Sequence, residues 1–313
     1  NVMGTEESAD PYVDYIKKNK PQGKWKRELI TRQSTIADNI ASMNVGIHLH
    51  IHYTDLVHEI LQGISINSIK PNIHVSYSGG NENVIKSIFE LNNLEYSSII
   101  KVPNRGRDIG PLITELSHYM ECNYDFYGHF HTKKSISIEK EEGAKWRKYL
   151  ITNLLGQHGN RMADKILTDM TNDEKLGLVF PEDPFCVGWG SNYDKASIIA
   201  NKIGIRDIPR SLNFPVGNMF WVRSGALSKL YNLKLGWNDY PLEPIGYDGT
   251  ILHAIERLLP LIAENNGYNY KMTNLHAAIG CAQLEKFRKL LLNKRKLFKA
   301  YLKEFSKIKD ISL

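Results

Sequence analysis

Between Gly46 and His131 four short apolar runs alternate with three amphipathic stretches, and this alternation constrains the chain more than any other feature. The first run, Gly46 to Tyr53, sets Ile47, Leu49 and Ile51 against His48, His50 and His52, the period of a strand. Thr54 and Asp55 then supply a helix-start signal ahead of Leu56, Ile60, Leu61 and Ile64, which recur at helical spacing. A second strand is expected over Asn72 to Ser78, ending in the turn Gly79-Gly80-Asn81. A helix follows, carrying Val84, Ile85, Ile88 and Phe89. The third run, Ser98 to Val102, leads through Asn104-Arg105-Gly106-Arg107-Asp108 to a helix from Pro111 to Met120, and the fourth is Asp125 to His131. Strands joined by helical crossovers lie parallel, so the fold class is α/β: a mostly parallel Rossmann-type sheet flanked by helices.

Around this unit the sequence divides into three. Residues 1–45 read as a polar helical arm, 46–275 as the main domain and 276–313 as a basic amphipathic helix. In the second half of the domain, Trp146 to Leu155 and Met162 to Met170 have helical patterns, and Leu176 to Phe180 is a short strand. Pro184 to Asn192 is a loop rich in glycine and aromatics. Phe214 to Arg223 reads as a turn entering a buried strand. Asp239 to Gly249 is a loop with Asp239, Glu243 and Asp248, feeding a helix that bears Ile251, Leu252, Ile255, Leu258 and Leu259.

With 313 residues, 42% of them hydrophobic, the chain can bury a substantial core. Its net charge of +6 suggests nucleic acid until it is located: Glu285 to Asp310 holds ten Lys and Arg against three acids, which leaves 30 against 31 elsewhere. The core therefore offers nucleic acid no charge. Leu284, Phe287, Leu291, Phe298, Tyr301, Phe305 and Ile308 thread that basic tail at spacings of three and four. The tail is expected either to pack on its own domain or to lie on an anionic membrane surface. No apolar run approaches the roughly 18 residues that span a bilayer. The first residues are polar and acidic, unlike a secretory leader, and the start at Asn1 suggests a piece of a longer protein. Cys122, Cys186 and Cys281 are too scattered for a disulfide framework or a zinc site, which fits a reducing cytoplasm.

The sequence lacks a Walker loop, G-x-G-x-x-G, H-E-x-x-H, G-x-S-x-G and C-x-x-C, which removes several enzyme classes. What remains is polar chemistry at the ends of two successive strands, where open α/β sheets bind ligands. Arg105, Arg107, Lys133 and Lys134 bring positive charge suited to a phosphate, and Gly106 and Gly110 fit a tight turn. Asp108 either pairs with Arg105 or Arg107 or accepts a hydroxyl of a nucleotide or sugar. In the second half, Asp248 lies just before a helix, where it serves either as a cap or as a proton acceptor, with Glu243 the alternative acceptor.

The blocks VPNRGRDIGP, HTKKS, FPVGNMFW and YDGTILHAIER, in this order over roughly residues 46–270, resemble the rhamnan synthesis protein F family, bacterial glycosyltransferases of cell-surface polysaccharide assembly. The order strand, helix, strand, helix, strand, N-R-G-R-D-x-G, helix, strand is also similar to the layout of GT-A transferases. The resemblance implies a GT-A-like enzyme with a nucleotide-sugar donor, a sugar such as rhamnose and a lipid-linked oligosaccharide acceptor. It would work in the cytoplasm, peripherally on the inner face of the plasma membrane. It implies Asp248 as the base of an inverting transfer. Tyr53, Asn104, Arg105, Gly106, Arg107, Asp108, His129, His131, Lys133 and Lys134 are assigned to the donor, and Asn218, Trp221 and His253 to the acceptor, although Trp221 also reads as core. Two departures stand out: Ser76-Tyr77-Ser78 where many such enzymes end the second strand in aspartate, and His129-Phe130-His131 where they place a D-x-D metal motif. No cofactor is firmly implied. The lysines and arginines supply the charge for a metal-free leaving group, or His129 and His131 bind a transition metal, or they only form hydrogen bonds. The competing class is a glycan-binding module of the same fold without catalysis.

Overall fold

The computed structural model describes residues 36–132, 140–181, 188–210, 212–246 and 248–272, all within one compact unit that ends at Met272. The N-terminal arm up to residue 35, Lys133 and Lys134, and the basic tail lie outside the described residues.

The four expected strands are present as β1 (Val45–Ile51), β2 (Asn72–Tyr77), β3 (Ser98–Lys101) and β4 (Phe126–His131). Between them run α1 (Val57–Ser65), α2 (Glu82–Leu91) and, after a π-helical turn over Pro111–Leu116, α3 (Ser117–Asn123). The Asn81 side chain caps α2 by accepting from Asn83 N. The expected cap at Thr54 and Asp55 is instead a 3-10 turn, Thr54–Leu56, that leads into α1.

The rest of the chain supplies α4 (Lys140–Leu154), the two-residue strands β5 (Gly156–Gln157) and β6 (Asn160–Arg161), α5 (Met162–Asn172), β7 (Leu176–Phe180), α6 (Tyr193–Lys202), β8 (Phe220–Arg223), α7 (Ser228–Tyr231), α8 (Ile251–Asn265) and β9 (Asn269–Met272). The main sheet has the order β3-β2-β1-β4-β8-β7-β9. All pairings are parallel except those of β8, which runs against both β4 and β7. The α/β class and the expected order of strands, helices and N-R-G-R-D loop are as the sequence indicates.

Side-chain alternation divides the interior in two. Ile47, Leu49, Ile51, Val75, Phe130 and Trp221 join one buried cluster, and Tyr127, Leu178, Phe180, Phe220 and Val222 join the other. Full burial of each of Ile47, Leu49 and Ile51 contributes about 1.5–3 kcal/mol before chain entropy is counted. The histidine face of β1 is not a solvent face: every residue of the strand is buried, including His48 and His50. The period-2 pattern therefore marks two interiors of different chemistry.

Candidate active site

One edge of the sheet collects the distinctive residues, and the strand directions explain why. The loop 102–110 leaves the carboxyl end of β3, and His131 ends β4. Because β8 is antiparallel, with His129 opposite Phe220, the turn that precedes it arrives at that same edge. The turn places Gly217 and Asn218 consecutively in the left-handed region, φ 93° and 51°, and a Cβ on Gly217 would come within 2.8 Å of Leu150. Asn218 Nδ2 then donates to Asp108 Oδ2 at 2.6 Å, and His131 Nε2 donates to Gly217 O at 2.7 Å. His129 Nε2 lies 3.4 Å and His131 Nε2 3.7 Å from the same Asp108 oxygen. Asn218 Oδ1 is buried without a partner among the described residues.

Beneath Asp108 a polar row crosses β4, β1 and β2. His129 Nδ1 meets His48 Nδ1 at 3.0 Å, and His48 Nε2 meets Ser76 Oγ at 2.8 Å. Ser76 Oγ is also 2.9 Å from His50 Nδ1. Ser78 Oγ lies 3.3 Å from His50 Nε2 and 3.0 Å from His52 Nδ1. Ser76 and Ser78, which stand where an aspartate was expected for the nucleotide, thus serve the histidines. Burial, reinforced by the neighbouring imidazoles, holds His48 well below the usual histidine range, and burial takes His50 down to about 3. Both are neutral imidazoles at physiological pH.

The two arginines of the loop have different duties. Arg105 is consumed by its own protein: Nε donates to Tyr240 O at 2.7 Å, Nη1 to Asn238 Oδ1 at 2.9 Å and Nη2 to Asn238 O at 3.1 Å. Its backbone also bridges Leu242. This corrects the expectation that Arg105 would hold phosphate; it clamps the 102–110 loop to the 237–242 segment. Gly106, at φ 77°, lets the two segments close, since a Cβ there would approach Gly110 Cα to 2.8 Å and the Tyr240 ring to 2.9 Å. The close neighbour of Gly106 is therefore Tyr240, not a ligand. Arg107 is exposed, with Nε 3.5 Å from Glu243 Oε1.

Asp248 sits two residues before Thr250, the N-cap position of α8, and does not cap that helix. Its carboxylate faces a different loop, accepting from Ser191 N at 2.9 Å and from Asn192 Nδ2, with Arg257 Nη2 3.5 Å away. Asn192 completes the junction by accepting from Gly249 N at 3.0 Å. Partial burial alone would raise the carboxyl pKa. The donated hydrogen bonds and the Arg257 charge outweigh it, so the group lies below the usual carboxylate range. Arg257 is itself buried, donating from Nε to Gly188 O and lying over the Phe214 ring. Glu256 Oε1 accepts from Gly217 N at 2.8 Å, so contacts run without a break from Asp108 through Asn218, Gly217, Glu256 and Arg257 to Asp248.

The remaining expected residues separate by burial. Trp221 is a core residue, 0% exposed, with Nε1 donating to Leu154 O and its ring edge-on to Phe130; it presents no face to a sugar. His129 and His131 are buried as well and act through Asp108 and Gly217. Asn104 is exposed, Tyr53 is half-buried against the His52 ring, and His253 receives or donates one bond with Thr250. Sequence reasoning missed Asn192 and Ser191 as partners of Asp248, and only their place in the glycine- and aromatic-rich loop hinted at a role. It also missed the Ser76–Ser78 bridge, whose signal was the matched even spacing of serines and histidines on adjacent strands.

The sequence pattern of the rhamnan synthesis protein F family matches residues 14–268. A second pattern, that of the DegT/DnrJ/EryC1/StrS aminotransferase family, matches residues 252–313. Two strains of Xanthomonas campestris pv. campestris have a protein, WxcX, described as uncharacterized, that is 27% identical over 257 residues. That alignment takes in 81% of this chain, but the chain spans only 36% of the length of WxcX. Among solved structures, core-mannan synthase A (CmsA/Ktr4) from Aspergillus fumigatus, in its Mn/GDP form, overlaps with a TM-score of 0.35 at 10% identity, covering 79% of this chain and 77% of that one. The mannosyltransferase Ktr4p from S. cerevisiae overlaps with a TM-score of 0.36 at 9% identity, covering 74% and 72%. These overlaps are too loose to bear on the site. The family match is of another order, because it takes in most of the chain and the sequence of all four blocks: the chain belongs to the rhamnan synthesis protein F family.

Proposed function

We propose that this chain carries a glycosyltransferase active site that moves a sugar, rhamnose in the first instance, from a nucleotide diphosphate to a growing bacterial cell-surface glycan. The observation that carries the reading is the contact path from Asp108 to Asp248, which joins three of the four family blocks at one sheet edge. On the donor side, Arg107 is the exposed guanidinium, and an exposed pair such as Arg107–Glu243 is worth at most about 1 kcal/mol, so a phosphate can replace the carboxylate. Lys133 and Lys134, which follow His131 in the sequence, are assigned to the same donor. On the acceptor side, Asp248 receives the hydroxyl proton as the anomeric carbon is attacked with inversion, and Glu243 is the alternative. The depressed pKa keeps Asp248 ionised, so it acts through position more than through basicity.

In this reading the acceptor is lipid-linked and the chain works at the inner face of the membrane. Among the described residues no helix is long and apolar enough to cross a bilayer. The membrane contact is assigned to residues 276–313, which also fall within the aminotransferase-family match. Sedimentation with anionic vesicles tests that assignment.

A panel of nucleotide sugars in a thermal-shift assay tests the central claim. A donor at about 100 times its Kd stabilises the native state by about 2.7 kcal/mol and raises Tm. The competing reading, a glycan-binding module, draws on the engagement of both Asp248 oxygens. It is distinguished by Tm rising with oligosaccharides and with no nucleotide, an outcome that ends the transferase proposal.

A further inference from the structure

The row of buried imidazoles and hydroxyls under Asp108 has a property that none of its members has alone. Each contact joins groups able to donate or accept, and if every hydrogen of the row is to be used within it, the direction of the first bond sets all the others. With Asp108 as carboxylate, it accepts from His129 Nε2–H. His129 Nδ1 is then bare and accepts from His48 Nδ1–H, and His48 Nε2 accepts from the Ser76 hydroxyl. Ser76 Oγ accepts from His50 Nδ1–H, His50 Nε2 from the Ser78 hydroxyl, and Ser78 Oγ from His52 Nδ1–H. The opposite assignment, starting from a protonated Asp108 that donates to His129 Nε2, satisfies every contact equally well. Mixed assignments do worse: either two N–H groups or two lone pairs face each other, or a serine accepts from both of its rings and its own hydrogen is left outside the row, which is costly at fully buried Ser76.

We propose that Asp108, His129, His48, Ser76, His50, Ser78 and His52 form one proton wire with two polarities, through which Asp108 gains or loses a proton against water at the His52 end. The wire is U-shaped: it descends from the loop after β3 to the middle of β1 and returns through β2 to half-buried His52, just past the carboxyl end of β1. A proton from bulk water is taken by His52 Nε2, each group passes on the proton it was donating, and Asp108 becomes the carboxylic acid. One proton enters, one arrives, and no group between keeps a charge. The relay needs each ring to hold one proton, since such a ring can both receive and give, and buried His48 and His50 are neutral.

The use we assign to the wire rests on the donor reading above. A diphosphate docked by Arg107 brings negative charge beside the Asp108 carboxylate, and protonating that carboxylate removes the repulsion without a cation. The wire lets it happen after the ligand has covered the site.

The test is nitrogen-15 NMR of histidine-labelled protein, which reads the protonated nitrogen of each ring and needs neither substrate nor turnover. Wild type is expected to show either Nδ1–H on His48 and His50 with Nε2–H on His129, or all three reversed. A mixed set, or a His129 protonated on both nitrogens whatever stands at position 108, overturns the proposal. In Asp108→Asn the amide can face His129 Nε2 with its oxygen or its NH2, so the three rings are expected to keep the wild-type set together or to invert together. Ser76→Ala cuts the wire between His48 and His50, so where the Asp108→Asn rings invert, adding it is expected to leave His50 behind; inversion of His50 in that background overturns the proposal. Should a variant fail to fold, the wild-type spectrum alone decides. Calorimetry with UDP, GDP and dTDP in two buffers of different ionisation enthalpy then tests the use: about one proton taken up on binding, lost in Asp108→Asn. Binding without uptake overturns the assigned use, whereas failure of every nucleotide to bind, with aligned tautomers, overturns the donor reading and leaves the wire.

Discussion

Asp108 and Asp248 are carboxylates of the same compact unit, yet they are held by opposite kinds of partner. Asp108 receives the Asn218 amide and the His129 ring, above the uncharged imidazoles of His48 and His50. Asp248 receives a backbone N–H, an amide and the buried Arg257 guanidinium. A carboxylate paired with a fixed cation stays ionised, while one surrounded by groups that can shed or accept protons is free to change charge. The difference suggests a division of labour in which the donor side adapts and the acceptor side holds constant.

Acid should break the Asp108 region first, and this is the largest effect expected. His48 and His50 are neutral in the native state but protonate in the unfolded chain, so stability is full above the unfolded value near 6.5 and falls as pH drops below it. His50, taken down to about 3, loses about 1.4 kcal/mol per pH unit below 6.5, or about 3 kcal/mol by pH 4.5, and His48 adds in the same direction. His74, lowered by burial, adds in the same direction, whereas Glu121, raised by burial, works against it. Asp248 has a depressed pKa, so its contribution is present above the unfolded carboxyl value near 3.9 and is lost only as pH falls through the lower folded value. Urea unfolding at pH 7, 5.5 and 4.5 therefore reports chiefly the buried histidines, with Asp248 silent. A flat profile over that interval would mean the imidazoles are not buried neutral.

Asp248→Asn probes the other side. Asparagine keeps an acceptor for Ser191 N while losing the charge, so the fold should persist with a small change in Tm. Turnover should fall by roughly 10²–10⁴, the usual worth of a positioned proton acceptor. Near-normal turnover would reduce Asp248 to a tether for the 188–192 loop and pass the role to Glu243.

What the sequence made legible follows from the range of each interaction. The β1–β4 half was readable because parallel strands, their crossovers and their loops are local patterns. Strand β8 has four residues and no period to read, and its antiparallel direction, which delivers Gly217 and Asn218 to Asp108, depends on partners about a hundred residues away. Arg105 shows the same limit: an arginine in a glycine loop looks ready for phosphate until Asn238 and Tyr240, 133 and 135 residues on, are found to occupy it. The histidines of β1 carry an alternating pattern that marks a strand, but nothing in one strand could reveal that Ser76 and Ser78 would join them. Trp221 was ambiguous for want of burial, which the structure supplies.

Arg105→Met should sharpen the contrast from the donor side. It removes three hydrogen bonds that hold the Asp108 loop to residues 238–240, and leaves two backbone carbonyls without a donor. Because part of that site is exposed, the expected loss is about 2 kcal/mol in denaturant unfolding. Asp248→Asn in the same background should add independently, and strong coupling would show that the two carboxylate regions are one cooperative unit.

The smallest expected effect is that of chelation, and its logic lies in where the histidine nitrogens point. A pair of strand histidines two residues apart can bind an ion only if each presents a bare nitrogen to the same point. His131 gives Nε2–H to Gly217 O, and His129 has Nδ1 against His48 and Nε2 towards Asp108. Both residues are held inward by these contacts, and among the described residues no group of three His, Cys, Asp or Glu side chains is arranged to hold a metal ion. The charge that a D-x-D metal would supply is assigned here to Arg107, Lys133 and Lys134, none of which EDTA touches. Turnover with EDTA should equal turnover without it, and Arg107→Ala should lower it. The reverse pattern, activity lost to EDTA and restored by a divalent ion while Arg107→Ala is silent, would show that the donor side relies on a bound cation, and the distinction between an adaptable Asp108 and a fixed Asp248 would fail.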